Sequence, residues 1–322
     1  MLEDLKFVQG AVSKRDFIPA MSHFMIRDKT IRSFNGVFTI CSPIDCDIDC
    51  NPNAENFIRA ITKCKNATQL HLTPAKRLSI KSGNFRALVD TLDTELPDLE
   101  PEGDYIPISD GKKLYTTISE LFSLIGEDAS RPWGTGLLLR GKSCYATNNV
   151  ILVEKWLGYN IPVEVNIPKI ALKEILRVRQ YPIGIRLSKS SITFHFENNR
   201  WLKTQVLDPK WPDINNLLTI PDNEYSDLTK EFFKALENLD GFTDAFGRVY
   251  LNSHHIATAD KLDEAKAIVE IDTKDGCGIY NLEMLSKLKT IATRIKWSNY
   301  PKPCPFIGDG LRGAIIGLRA EL

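Results

Sequence analysis

The chain has 322 residues with 41 basic and 41 acidic side chains, so its zero net charge gives no overall attraction for nucleic acid or an anionic membrane. Hydrophobic residues make up 43% of the sequence, which is typical of a globular protein and excludes a disordered chain. We find no apolar run of about 18 residues and no signal peptide, and seven cysteines without a framework spacing predict free thiols in a reducing cytoplasm.

The first third of the chain predicts a helix, a strand pair, a third strand, a second helix and a closing set of strands. Apolar residues at Leu2, Leu5 and Val8 have the spacing of a one-sided helix. The second helix begins near Pro52, where the missing N–H of proline costs nothing. The strands are predicted within residues 24–35, as a pair with a turn, and at residues 37–40, 44–50, 69–72, 77–80 and 85–89.

The strand pair occurs three times without a gap. The copies begin at Phe24, Leu137 and Val249, and each has three apolar residues, a polar turn and then alternating residues. In the middle copy we expect two short strands joined by a tight turn at residues 140–142. A spacing of about 112 residues between copies indicates a repeated domain and not a solenoid unit.

Both helices also recur in the second and third copies. The first helix carries an apolar stripe that begins at Leu114 in the middle copy and at Leu228 in the last. The second helix runs from Pro168 and from Leu282. The predicted N-caps are Asp110, Asp227 and Asn281. The remaining predicted strands are residues 150–153, 163–167, 183–187, 191–196, 201–206, 267–271, 294–297, 305–307 and 313–317.

This order of elements predicts three homologous α+β domains, in each of which two helices lie on a mainly antiparallel sheet. Turn-forming and acidic residues at 100–104 and 221–224 predict the linkers between them. We therefore place the domains at residues 1–104, 105–222 and 223–322.

Several segments match the local patterns of one known family. Ala146–Val153 lies where that family has Ala-Thr-Asp-Gly-His-Arg-Leu, and Pro168–Leu176 is similar to its Pro-Arg-Lys-x-Leu-x-Glu-Leu helix. Further likenesses are Leu207–Ile214, Ala257–Ile271 and Ile315–Arg319. The chain thus resembles the bacterial type of DNA polymerase sliding clamp, the beta subunit of the replicative polymerase. Because residues 148–151 replace Asp-Gly-His-Arg, the resemblance is to a divergent clamp, of a kind that a phage could encode.

The resemblance implies a closed ring around duplex DNA, a homodimer of six domains whose second helices line the hole. Basic residues there would neutralise phosphates without reading bases. Residues 53–65, 168–179 and 282–296 hold eleven basic and three acidic side chains, although the whole chain is neutral. The predicted DNA-binding residues are Arg59, Lys63, Lys65, Lys169, Lys173, Arg177, Arg179, Lys287, Lys289, Arg294 and Lys296.

The resemblance also implies an apolar pocket between the second and third domains, which takes linear peptides of the polymerase and the clamp loader. Its residues, carried over by position, are Thr147, Asn149, Val150, Leu152, Pro212, Leu217, Ile315 and Leu318. Loss of the His-Arg pair implies partner peptides that differ from the bacterial ones. Ring closure would pair residues 85–89 with the region 236–239 of another subunit.

Three cysteines, Cys41, Cys46 and Cys50, stand near the aspartates Asp45, Asp47 and Asp49. Strand alternation places the aspartates on the face opposite Cys46 and Cys50, and no Cys-x-x-Cys pair completes a metal site. No catalytic motif stands out, so we expect no metal, no cofactor and no enzymatic activity. Two other hypotheses stay open, a metal-dependent nucleic-acid hydrolase that uses the aspartates and a clamp-fold scaffold that does not encircle DNA.

Overall fold

A computed structural model describes residues 1–13, 18–93, 99–208, 210–214, 216–219 and 225–319 of the chain. The chain forms two compact units. The first comprises Met1–Tyr115 with Ile170–Val206, and the second Thr116–Lys169 with Leu207–Leu322. Each unit contains part of the expected middle domain, so the three domain boundaries stay a prediction. The expected linker 221–224 lies outside the described residues.

The described residues contain six α-helices: α1 (Leu2–Val8), α2 (Ala54–Lys63), α3 (Gly111–Leu121), α4 (Lys169–Val178), α5 (Lys230–Leu239) and α6 (Leu282–Lys287). The side chains of Asp110 and Asn281 each accept a hydrogen bond from the N–H three residues on, at 2.8 and 3.1 Å, which confirms two predicted caps. The third predicted cap is wrong. Asp227 lies in a short strand, and Thr229, which directly precedes α5, caps that helix instead.

Twenty strands are present in the described residues. In chain order they are β1 (Met25–Arg27), β2 (Thr30–Phe34), β3 (Phe38–Pro43), β4 (Gln69–Leu72), β5 (Arg77–Ser82), β6 (Phe85–Asp90), β7 (Tyr105–Pro107), β8 (Gly136–Thr147), β9 (Ile151–Pro168), β10 (Gly184–Leu187), β11 (Ser191–His195), β12 (Trp201–Gln205), β13 (Ser226–Asp227), β14 (Arg248–Leu251), β15 (His255–Ala257), β16 (Ile268–Glu270), β17 (Gly278–Asn281), β18 (Arg294–Ile295), β19 (Cys304–Gly308) and β20 (Leu311–Ile315).

In the first unit, seven antiparallel strands form a sheet in the order β1-β2-β3-β12-β11-β10-β7, and a second sheet has the order β4-β5-β6. Helix α1 packs on β2 and β3 and against α2. Its apolar face is buried in this contact, with Leu5 and Val8 fully enclosed. Phe24 packs edge-on against Phe57 of α2, with ring centroids 6.5 Å apart. The core of this unit thus lies between its helices and the sheet.

In the second unit, six strands have the order β13-β18-β19-β20-β9-β8, and four have the order β16-β15-β14-β17. Helix α5 packs against α6, β15 and β16. Phe232 of α5 lies against the buried Trp297 with ring centroids 5.8 Å apart, and Tyr280 packs on the same indole at 5.3 Å. Helices on antiparallel sheets in both units confirm the α+β class. Of the described helices, none has the length and apolar character needed to cross a membrane.

The middle copy of the strand pair differs from the expectation. The first copy does have its turn, with Asp28 and Lys29 at φ 49° and 56° between β1 and β2. In the middle copy β8 is one continuous strand paired with the long β9, so the tight turn expected at residues 140–142 is wrong. Gly141, at φ +58°, accommodates a shift in the β8–β9 register there.

The third basic segment also differs. Helix α6 ends at Lys287 and is followed by a 3₁₀ turn, Leu288–Thr290, so it is shorter than the segment 282–296 implies. Arg294 lies in strand β18, and Lys296 follows that strand. These two residues are therefore not on a helix, because the chain extends to pair with β13 and β19.

Candidate partner pocket and DNA-facing residues

The second unit contains a cavity of about 140 Å³ at one end of the β8–β9 hairpin. The end of β8, the start of β9, the segment after residue 210 and the end of β20 form its walls. The described lining residues are Arg131, Trp133, Thr147, Asn149, Val150, Ile151, Leu152, Pro212, Ile214, Leu217, Pro303, Ala314 and Ile316.

The hairpin turn at the pocket is held by local hydrogen bonds. The Asn148 side-chain oxygen accepts from the N–H of Val150 at 3.1 Å and from that of Ile151 at 2.8 Å. Asn149 takes φ 71°, a left-handed conformation that asparagine tolerates better than most residues. Its N–H donates to the Thr147 hydroxyl at 3.1 Å. These contacts fix the position of this wall.

An apolar cluster supports the opposite wall. Leu152 of β9 packs with Ile214 and Leu218, and the side chains of Tyr145 and Trp211 lie against this cluster. Trp211 in turn contacts Trp133, with ring centroids 5.4 Å apart in an edge-on arrangement. The segment after residue 210 is thereby anchored on the sheet.

The pocket includes six of the eight residues expected for peptide binding: Thr147, Asn149, Val150, Leu152, Pro212 and Leu217. Ile315 and Leu318 do not line it. Ile315 is 1% exposed and lies on the other face of β20, because successive strand residues point to opposite faces. The lining positions are its neighbours Ala314 and Ile316. Alternation along the strand puts these two residues on one face and Ile315 on the other, but does not show which face meets the pocket. We found no sequence signal for Arg131 or Trp133.

The surface of the pocket is mainly apolar. Leu217 and Ile316 are 45% and 46% exposed at its rim, so two large aliphatic side chains face solvent beside the cavity. Arg131 is the one charged residue among the described lining residues. This arrangement suits the apolar side chains of an extended peptide with few hydrogen bonds.

The eleven basic residues expected to meet DNA fall into two groups. Five of them form ion pairs with carboxylates: Arg59 with Glu55, Lys169 with Glu127, Arg177 with Glu174, Lys287 with Glu283, and Lys289 with Glu237. The other six form no ion pair with any described residue: Lys63, Lys65, Lys173, Arg179, Arg294 and Lys296. The second group is available to a polyanion.

Two paired residues of α4 hold the fold. Lys169 donates to the carbonyl of Ile125 at 2.8 Å and to Glu127 at 2.8 Å, and this hydrogen bond lowers the pKa of Glu127. Arg177 donates to the carbonyls of Lys6 and Phe7 at 3.0 and 2.6 Å. Both cations are therefore anchored in their own unit, which argues against their predicted role as free phosphate contacts.

The cysteine and aspartate segment does not resemble a metal centre. The described residues contain no group of three or more His, Cys, Asp or Glu side chains placed to hold a metal ion. Burial raises the pKa of the Cys46 thiol and raises that of Cys50 to about 12, which disfavours the thiolate that a metal requires. Asp47 is exposed and pairs with Lys29 at 3.0 Å. The segment alternates in burial but forms no strand ladder.

The regions expected to close a ring differ in exposure. Strand β6 is an edge strand of its sheet, with Leu88 42% exposed. Leu236 and Leu239 are fully buried in the second unit, so the expectation that this region supplies contact side chains is not supported. The exposed apolar residues nearby are Phe242 and Phe246, at 48% and 67%, in the loop after α5.

No protein-family model matches the sequence, and no curated protein sequence matches it. Solved bacterial DNA polymerase sliding clamps do match the structure. The clamp of Bacillus subtilis has a TM-score of 0.79 at 20% identity, that of Pseudomonas aeruginosa bound to griselimycin 0.83 at 17%, and that of Caulobacter crescentus 0.83 at 18%. Each match covers 99% of this chain and 97% of the other. The chain therefore has the sliding clamp fold.

Proposed function

We propose that this chain is a sliding clamp, a non-enzymatic processivity factor that encircles duplex DNA and tethers a DNA polymerase to it. The observation that carries the proposal is the fold, which matches bacterial clamps over 99% of the chain without a missing domain. A ring of this kind would act in the cytoplasm, on the bacterial or phage DNA being copied.

Unpaired cations support the DNA-binding part of the proposal. No described carboxylate forms an ion pair with Lys63 at the end of α2, with Lys65 just beyond it, with Lys173 on α4 or with Arg179 just after α4. Phosphates attract such residues without regard to base sequence, which is what a ring that slides along DNA requires.

The pocket supports the tethering part. It has an apolar rim and a wall formed by the hydrogen-bonded hairpin turn, and a cavity of about 140 Å³ suits an apolar side chain of a linear peptide. We assign this peptide to the polymerase and to the clamp loader. With Val150 and Ile151 at the hairpin, the site favours apolar anchors over polar ones.

Ring closure requires a second copy of the chain. The free edge of β6 and its exposed Leu88 provide one side of the proposed contact, and Phe242 and Phe246 provide the other. A head-to-tail pair joined twice in this way closes into a ring with two equivalent junctions.

The test is the native mass together with the shape of the particle. We expect light scattering to give twice the chain mass of 36.4 kDa, and negative-stain images to show a ring with a hole wide enough for duplex DNA. A strict monomer at micromolar concentration would contradict the ring and favour a scaffold that does not encircle DNA. Divalent-metal-dependent nuclease activity lost in Asp47→Ala would contradict the whole proposal.

A further inference from the structure

A charged and aromatic group lies on the sheet face that carries the pocket, a few residues further along the same strands. It consists of Glu154 and Trp156 on β9 and Arg312 on β20. The Arg312 Nε donates to Glu154 Oε2 at 2.6 Å, and its guanidinium carbon lies 6.0 Å from the centre of the Trp156 ring. We call these three residues the Arg312 strip.

The strip is held in place by side chains of the neighbouring strand β8. Glu154 is 5% exposed, and its other oxygen accepts hydrogen bonds from the hydroxyls of Ser143 and Tyr145, each at 2.7 Å. Burial raises the pKa of Glu154, but these hydrogen bonds and the Arg312 cation together bring it below its ordinary value, so the carboxylate stays charged. A charged Glu154 fixes the orientation of Arg312.

The outer side of the strip faces solvent without a partner. Arg312 is 30% exposed, and its two terminal nitrogens donate to no described residue. Trp156 is 45% exposed. An oriented guanidinium with two free nitrogens matches the two oxygens of a carboxylate, and the indole beside it offers a flat apolar surface.

The strip and the pocket share one face. In the register of the sheet, Ala314 pairs with Leu152 and Arg312 with Glu154. Residues two and four positions apart in a strand point to the same side, so Trp156 lies about 13 Å beyond Leu152 on the pocket face. An extended peptide covers that distance with about four residues.

We propose that the Arg312 strip is a second contact for the peptide that enters the pocket, and that it selects a partner with an acidic residue about four positions from its apolar anchors. This inference rests on the proposed peptide pocket. Glu154 neutralises the local charge, so the strip offers directed hydrogen bonds and no broad positive field; a carboxylate suits it better than a nucleic-acid backbone. Bidentate pairing gives the selectivity, and Trp156 covers the apolar stem of the acidic residue.

The test is selection of peptides from a phage-displayed library of random dodecamers on the full-length protein. We expect the selected peptides to carry adjacent large apolar residues and an Asp or Glu three to five positions away. On Arg312→Gln, the apolar residues should persist and the acidic enrichment should vanish. In anisotropy titrations, changing that Asp to Asn should weaken binding about tenfold on the unchanged protein and not at all on Arg312→Gln.

Two controls separate the possible failures. Leu217→Asp, at the exposed rim of the pocket, should abolish selection of the apolar anchors. If selected peptides need Leu217 but show no acidic preference, the strip is not a contact and the pocket assignment stands. If Leu217→Asp leaves peptide binding unchanged, the pocket assignment itself is wrong. Arg312→Gln has the drawback that it leaves the buried Glu154 carboxylate without its cation. Trp156→Ala does not disturb this carboxylate, and it should weaken binding of the same peptides.

Discussion

Glu174 is a buried carboxylate whose charge depends on one arginine. Its side chain is 7% exposed, and Arg177 Nε donates to its two oxygens at 2.7 and 2.8 Å. Burial raises the pKa of Glu174, and the Arg177 hydrogen bond and charge oppose that rise. Arg177 also joins α4 to α1 through two backbone carbonyls. Its role is thus to hold the first unit together.

Arg177→Ala should therefore destabilise the chain, and more at neutral than at acidic pH. At pH 7 we expect the free energy of unfolding to fall by about 2 kcal/mol, because a buried carboxylate loses its partner. Without Arg177 the folded-state pKa of Glu174 rises further. A raised folded-state pKa adds to the stability of the folded chain at low pH, and this contribution is lost as the pH increases. The loss of stability caused by Arg177→Ala should therefore become smaller towards pH 5. Urea unfolding at both pH values measures it.

Arg59→Ala is the matched control. Arg59 forms an ion pair with Glu55 in which both side chains are largely exposed, at 67% and 78%. The change in unfolding free energy should stay within about 0.5 kcal/mol at either pH. An equal decrease in the unfolding free energy of Arg177→Ala at pH 7 and pH 5 would contradict the role assigned to Glu174. Adding Glu174→Gln to Arg177→Ala should recover part of the lost stability.

The unpaired cations make a separate prediction, about DNA and not about stability. Reversing Lys173 and Arg179 together to Glu should weaken binding to duplex DNA by about an order of magnitude at low salt, with a lower salt dependence. Neither residue forms an ion pair with a described residue, so unfolding should change little. Filter binding across a salt series measures the effect.

A control with the same change in net charge reverses Lys261 and Lys266, which lie outside the three basic segments. Lys261 already pairs with Glu264 at 2.9 Å. We expect this variant to retain most of its affinity for duplex DNA. An equal loss of DNA affinity in both double variants would mean that net charge alone governs binding and that Lys173 and Arg179 make no specific contribution.

At the scale of elements, the turn between β8 and β9 forms one wall of the pocket, and the side chain of Asn148 makes two of the hydrogen bonds that hold this turn. Asn148→Ala removes the oxygen that accepts from Val150 and Ile151, so stability should fall by about 1 kcal/mol and peptide affinity with it. Asn149→Gly should cost nothing, because glycine adopts the φ of 71° freely and the lost amide oxygen has no described partner. Thermal unfolding separates the two, and equal losses would contradict this account.

Elements with a regular apolar period were predictable from the sequence. The helix of residues 230–239 and the strands of residues 77–90 have clear periods, and the repeat located them. At Gly141 the local sequence was compatible with either a tight turn or a β-bulge, so it did not predict which of the two forms. Gly141 at φ +58° suits either, and the long partner strand β9, which pairs along the whole of β8, determined the outcome.

The pocket was predictable from the resemblance to sliding clamps at six of the eight expected positions, including Pro212 and Leu217. In the hairpin, Thr147, Asn149, Val150 and Leu152 were carried over by position from the resemblance, and all four line the pocket. The prediction that Ile315 lines the pocket was wrong by one strand position. Neighbouring residues of a strand point to opposite faces, so this residue lies on the face away from the cavity. Ion pairs such as that of Lys289 with Glu237 join distant segments, so no local count of charge could show which cations are free.

At the scale of the whole molecule, the proposed ring depends on two surfaces that a single chain leaves exposed. Strand β6 has a free edge and an exposed Leu88, whereas the other edge of the same sheet, β4, carries Leu72 at a nearly equal 41% exposure. The two leucines thus offer a matched pair of substitutions. A charge placed at a contact between subunits must be desolvated, which opposes association far more than the same charge at a free surface.

Leu88→Asp should therefore shift the particle from twice 36.4 kDa to the mass of one chain, while Leu72→Asp should leave the pair intact. Phe242→Asp, on the opposite side of the proposed contact, should have the same effect as Leu88→Asp. Mixing the two monomeric variants should restore a single junction, since one intact Leu88 can still meet one intact Phe242. Light scattering of each variant and of the mixture is the measurement. A dimer that survives both substitutions would place the subunit contact elsewhere and remove the structural basis for the proposed ring closure.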